Sequence, residues 1–111
     1  RLMKLKPLIN IGFLLCLGLT AASISAETVI IDVKDSMFGT EQPLRIKVGD
    51  TVKWVNIEKR QYHSVWFEAE GFPEAEYIFP DESWERTFDK AGTYPYRCEP
   101  HEDMLGTIIV E

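Results

Sequence analysis

From Thr28 onward the chain is cut into short runs rich in branched and aromatic residues, each closed by turn residues, and helical periodicity is weak throughout. Thr28–Val33 is one such run. Leu44, Ile46 and Val48 alternate with Arg45 and Lys47, the pattern of a strand with one buried face. Gly49-Asp50 marks a turn, and Thr51–Asn56 follows with Val52 and Trp54 on a single face. His63–Phe67, Trp84–Phe88, Thr93–Cys98 and Thr107–Val110 read as further strands, with Ala91-Gly92 as a turn. Between them lies an acidic stretch, Glu68 to Glu82, broken by Gly71, Pro73 and Pro80 and expected to be irregular. Pro95 inside a strand implies that its missing amide is not needed by a neighbour. These runs predict an all-β domain of seven to eight strands, a β-sandwich or small barrel.

The first 26 residues do not fit that pattern. Arg1, Lys4 and Lys6 precede any acid, an apolar stretch runs densest from Ile11 to Leu19, and small residues follow at Ala21, Ala22, Ser23, Ser25 and Ala26. A positive end, a short apolar run and a small-residue exit describe a secretory signal peptide. Asn10, Gly12, Gly18 and Thr20 leave the run too short for a membrane span, so no stable membrane insertion is expected. Residues 1–26 are therefore expected to be removed on export, leaving 27–111 as a single domain. That domain carries nine basic and eighteen acidic residues, a net charge of −9, which argues against nucleic acid as a partner. Nothing in it calls for an oligomer, and a monomer is expected.

Export also isolates one cysteine. Cys16 leaves with the signal, and Cys98 remains alone in a chain bound for an oxidising compartment. A lone thiol there is open to oxidation or wrong pairing unless something holds it. Cys98 opens the cluster Cys98-Glu99-Pro100-His101-Glu102-Asp103-Met104, which packs a thiol, an imidazole and a thioether into a short loop between two expected strands. The other histidine, His63, begins a strand after the Glu58–Gln61 loop, and loops at one end of a sandwich can meet in space. Two imidazoles and one thiolate with a weak axial thioether make the blue-copper electron-transfer arrangement. Thiolate donates strongly, imidazole suits both copper oxidation states, and the soft thioether tolerates a long bond. Zinc can use most of these donors, but a thioether is unusual for it. Met37 reads as core or rim.

The chain resembles the cupredoxins, most closely the pattern of amicyanin, plastocyanin and pseudoazurin. The resemblance is carried by Met37-Phe38, Val48-Gly49-Asp50-Thr51-Val52, Trp54-Val55-Asn56, His63, Phe88, Ala91-Gly92-Thr93-Tyr94, Tyr96-Arg97-Cys98, Pro100-His101, Met104 and Gly106. It implies a Greek-key β-sandwich with one type 1 copper bound by His63, Cys98, His101 and Met104, and a periplasmic one-electron carrier. Most relatives have asparagine after the first histidine, where its side chain ties the two ligand loops together. Ser64 stands there, and a hydroxyl reaches less far.

Charge suggests where partners approach. Glu99, Glu102 and Asp103 surround His101, whose edge is the electron route in relatives, and these carboxylates favour Cu(II) over Cu(I). Glu68, Glu70, Glu74, Glu76, Asp81 and Glu82 form a second acidic run, either a solvated face or a docking patch for a basic redox protein such as a c-type cytochrome. A periplasmic oxidoreductase is the other expected kind of partner. An enzyme is not expected, because four protein ligands leave no open position on the metal for a substrate. The competing reading is a periplasmic copper-binding protein for delivery or tolerance. A thiolate tied into a loop between strands favours retention over exchange.

Overall fold

The computed structural model describes residues 25–111, so all but the last two residues of the expected signal, Cys16 included, lie outside the described residues. Nine strands follow in chain order: β1 (Thr28–Lys34), β2 (Met37–Phe38), β3 (Leu44–Ile46), β4 (Thr51–Asn56), β5 (His63–Val65), β6 (Glu76–Ile78), β7 (Ser83–Thr87), β8 (Gly92–Arg97) and β9 (Leu105–Val110). The one helical element among the described residues is a 3-10 turn at Glu68–Glu70. Among the described residues no helix is long and apolar enough to cross a membrane.

The strands form two layers. One is the sheet β2-β1-β4-β7, and the other is β3-β9-β8, extended by the β5-β6 pair through a bridge between Trp66 and Arg97. β1 lies parallel to β4, and β3 parallel to β9. Neither pair is sequential, so the chain crosses repeatedly between layers, as a Greek-key sandwich requires. Val33, Val52 and Trp54 from the first layer meet Ile46, Tyr96, Ile108 and Val110 from the second in one buried cluster. The alternation in β4 is the sequence pattern made physical, with Val52, Trp54 and Asn56 buried and the residues between them partly exposed. Trp54 donates its Nε1–H to the Tyr96 hydroxyl at 3.1 Å across the layers, satisfying both polar tips inside the core. Burial pushes the Tyr96 phenol up to about 12, so it stays a neutral partner.

Two expectations differ from the structure. The acidic stretch was expected to be irregular throughout, yet it contains β6. Only Ile78 of its three residues is buried, too little to show a period, and the strand exists because it pairs with β5. β2 is likewise a two-residue strand fixed by pairing with β1. The run from His63 stops pairing in β5 at Val65, after which Trp66 exchanges backbone hydrogen bonds with Arg97 and Phe67 leads into the 3-10 turn. Met37, read as core or rim, is 51% exposed and lies on the rim. Pro95 behaves as expected, because β8 is paired with β9 alone until the Trp66 bridge at Arg97.

Gly106 sits opposite Tyr96 in the β8–β9 register. A Cβ there would lie under 3.0 Å from three atoms of the Tyr96 side chain, two ring carbons and the hydroxyl oxygen, and that side chain is buried and held by Trp54. Gly106→Ala is therefore expected to cost about 1–3 kcal/mol through overpacking, read as a lowered denaturation midpoint. A midpoint equal to that of the unaltered protein would show that the Tyr96 ring yields freely.

Candidate metal centre

The Trp66–Arg97 bridge is what assembles the site. It holds β5 beside β8, so that His63 at the start of β5 and Cys98 just past the end of β8 arrive at the same end of the sandwich. The loop 98–104 then folds back on itself. The Met104 amide donates to the His101 carbonyl at 2.9 Å, and the Cys98 amide donates to the Met104 carbonyl at 3.0 Å. Both ends are pinned between β8 and β9, and Met104 is buried.

His63, Cys98 and His101 converge, with one donor atom from each lying within 4.8 Å of the others. The two imidazole centroids are 5.4 Å apart, and His101 Nδ1 lies 3.5 Å from Cys98 Sγ. His63 and Cys98 are fully buried, whereas His101 is half-buried and keeps an edge toward solvent. His63 Nδ1 is buried without a hydrogen-bond partner, and it is the one such side-chain nitrogen or oxygen among the described residues. Buried polar atoms are otherwise satisfied in native proteins. An orphaned imidazole nitrogen beside a thiol and a second imidazole is the arrangement that a metal ion completes. The donor set, soft sulfur with two imidazoles, suits copper.

The other nitrogen of His63 is accounted for. Nε2 lies 3.2 Å from Glu58 Oε2, and that same oxygen accepts the Asp35 amide at 2.9 Å. The hydrogen bond from His63, and then that from Asp35, hold Glu58 below the usual carboxylate range. Asn56 supports this loop from beneath. Its side-chain nitrogen donates to the carbonyls of Gln61 and Ile78, and its oxygen accepts the Glu58 amide. Sequence reasoning missed Glu58. An acid five residues before the first histidine was the available signal, since histidine ligands commonly donate their second N–H to a carboxylate.

Ser64 does what its shorter side chain was expected to do poorly. Its hydroxyl accepts the Glu99 amide at 2.8 Å and donates to Cys98 Sγ at 3.7 Å, while its own amide donates to Sγ at 3.3 Å. The tie between the ligand loops is therefore present, because β5 runs close enough to Cys98 and Glu99 for a hydroxyl to span the gap.

The acidic run is partly neutralised within the fold. Arg86 holds Glu70 through two hydrogen bonds of 2.8 and 2.9 Å, its guanidinium lying over Phe67 and Phe88. Arg97 donates to Glu68 at 2.9 Å and lies over the Trp66 ring. Glu82 accepts the Phe79 amide. Near the site, the Tyr77 hydroxyl donates to Glu99, which pushes the Tyr77 phenol up to about 12. Glu102 and Asp103 remain exposed beside His101.

Residues 26–111 match the family described as copper binding proteins of the plastocyanin/azurin type. The chain belongs to that family. Among its cupredoxin relatives is an amicyanin of Paracoccus denitrificans, 37% identical over 95 residues that cover 82% of this chain and 71% of the relative. A plastocyanin of Scenedesmus fuscus is 42% identical over 77 residues, covering 60% and 79%. A solved structure of an oxidised amicyanin variant superposes with a TM-score of 0.69 at 34% identity, over 75% of this chain and 81% of that one. The cupredoxin fold that the resemblance implies is thus the fold observed, and copper is the cofactor of this family.

Proposed function

We propose that this chain is a periplasmic blue-copper electron carrier, passing single electrons between redox partners, with copper held by His63, Cys98, His101 and Met104. The observation that carries the reading is the unpartnered His63 Nδ1, buried against Cys98 Sγ and His101 Nδ1. Bound copper supplies a Cu(II)/Cu(I) couple. The chain does the rest: Ser64 donates two hydrogen bonds toward the Cys98 sulfur, Glu58 fixes the His63 ring, and the closed 98–104 loop holds Met104 and His101 in place. Rigid donors keep reorganisation small, which fast electron transfer needs. Of the four donors only His101 has an edge toward solvent, so exchange with a c-type cytochrome or a periplasmic oxidoreductase would pass there. The export-type N-terminus supports a periplasmic setting. Full burial of His63 and Cys98 favours retention of the metal over delivery.

Adding Cu(II) to the domain tests this. An intense blue thiolate-to-copper band with narrow copper hyperfine splitting is expected in the visible and EPR spectra. A weak band with ordinary copper EPR would remove Cys98 from the ligand set and put delivery ahead. Replacing both Glu102 and Asp103 by amides should raise the reduction potential by on the order of tens of millivolts, since exposed charges act through high dielectric. An unchanged potential would show that these carboxylates do not bear on the metal.

A further inference from the structure

The surface around His101 is divided by charge. On one side stand the exposed acids Glu102 and Asp103, while the third acid of the loop, Glu99, is engaged by the Tyr77 hydroxyl at the aromatic flank. On the other, a cleft of about 240 Å³ opens between the loop before β5 and the ligand loop, lined by Arg60, Gln61, Tyr62, Pro100 and His101. This cleft has no acidic wall, in a domain whose net charge is −9. Arg60 and its neighbour Lys59 are exposed, and neither is in an ion pair with another described residue. Arg86 and Arg97, in contrast, are each held by a glutamate. Tyr62, Tyr77 and Phe79 continue the surface outward as an exposed aromatic group, with centroids 5.7 Å apart for Tyr62–Tyr77 and 5.4 Å for Tyr62–Phe79. Arginine and tyrosine at the edge of an apolar patch are the residue types that anchor protein contacts.

We propose that the Arg60–Tyr62 cleft is the docking point for a carboxylate presented by the redox partner, beside the His101 edge. This rests on the electron-carrier reading and deepens it. The face is bipolar, so a partner that presents acid to Arg60 and base to Glu102 and Asp103 is held in one orientation about His101. The sequence pointed only to the second half, a basic partner on an acidic surface. A bipolar face favours one azimuth over its reverse, because reversal sets like charges against each other on both sides.

Two small oxidants of opposite charge separate the halves. The copper(I)-loaded protein is oxidised by hexacyanoferrate(III) or by tris(phenanthroline)cobalt(III), each oxidant gaining the one electron that the copper loses. At low ionic strength Arg60→Glu is expected to slow oxidation by hexacyanoferrate(III) about tenfold, with the cobalt complex unaffected or faster, and Arg60→Gln to fall between. The redox-inert hexacyanocobaltate(III) should shift the NMR signals of Tyr62 and Arg60 in the unaltered protein, and shift those of Tyr62 far less in Arg60→Glu. Equal slowing of both oxidants, or rates and Tyr62 shifts blind to Arg60, would overturn the docking point alone. An unaltered protein that reduces neither oxidant would overturn the electron-carrier reading, and the docking point with it.

Discussion

Cys98→Ser is expected to give a folded protein with no intense visible band and a much weakened hold on copper. The band requires charge transfer from a thiolate, and Cys98 is the free cysteine among the described residues. The fold should survive. The new hydroxyl would sit where the Ser64 amide and hydroxyl already point, so it has partners despite full burial, and a buried hydroxyl with partners costs far less than one without. Far-UV circular dichroism would confirm the fold while absorption and EPR follow the metal. Retention of the blue band would mean that sulfur other than Cys98 binds the metal. Met104→Leu offers the contrast. It would remove the thioether proposed as the weakest of the four donors, so the band should persist while the potential moves.

Glu58→Gln is expected to lower copper affinity by about 10- to 100-fold, the usual cost of losing the carboxylate behind a ligating histidine. One oxygen of Glu58 serves both His63 Nε2 and the Asp35 amide, and His63 is fully buried. The glutamine amide keeps one accepting oxygen but loses the charge, so it can orient the ring yet makes His63 a poorer donor. The potential should rise in step, because a less electron-rich imidazole stabilises Cu(II) less. Glu58→Ala should do more harm, leaving a buried N–H with no acceptor. Chelator competition gives the affinity and potentiometry the potential. A potential that stays put while stability alone falls would reduce Glu58 to a loop fastener.

Local pattern carried much of this protein. Strands such as β4 are visible because one face is buried and side chains alternate, and the turn at Gly49-Asp50 is visible because few residues tolerate that backbone. The candidate donors of the loop are legible for the same reason of proximity: Cys98, His101 and Met104 lie within one short segment between two strands, and a lone cysteine beside a histidine is chemically conspicuous. Even the fate of Pro95 follows from its own missing amide.

What the tertiary structure decided has no local signature. β2 and β6 are too short to show a period and exist through pairing with β1 and β5. The meeting of His63 with Cys98 depends on the Trp66–Arg97 bridge, a pair of backbone hydrogen bonds between residues far apart in the chain. Whether Ser64 could replace an asparagine turned on a gap between two loops, not on the residue itself. The acidic run, in sequence either a solvated face or a docking patch, is partly neutralised because the fold sets Arg86 and Arg97 against Glu70 and Glu68. Sequence determines the kinds of donor and the strands that carry them, because those follow from each residue and its neighbours. Only the folded chain decides which donors, acids and cations face one another, because distances between remote segments are set by packing the two layers together.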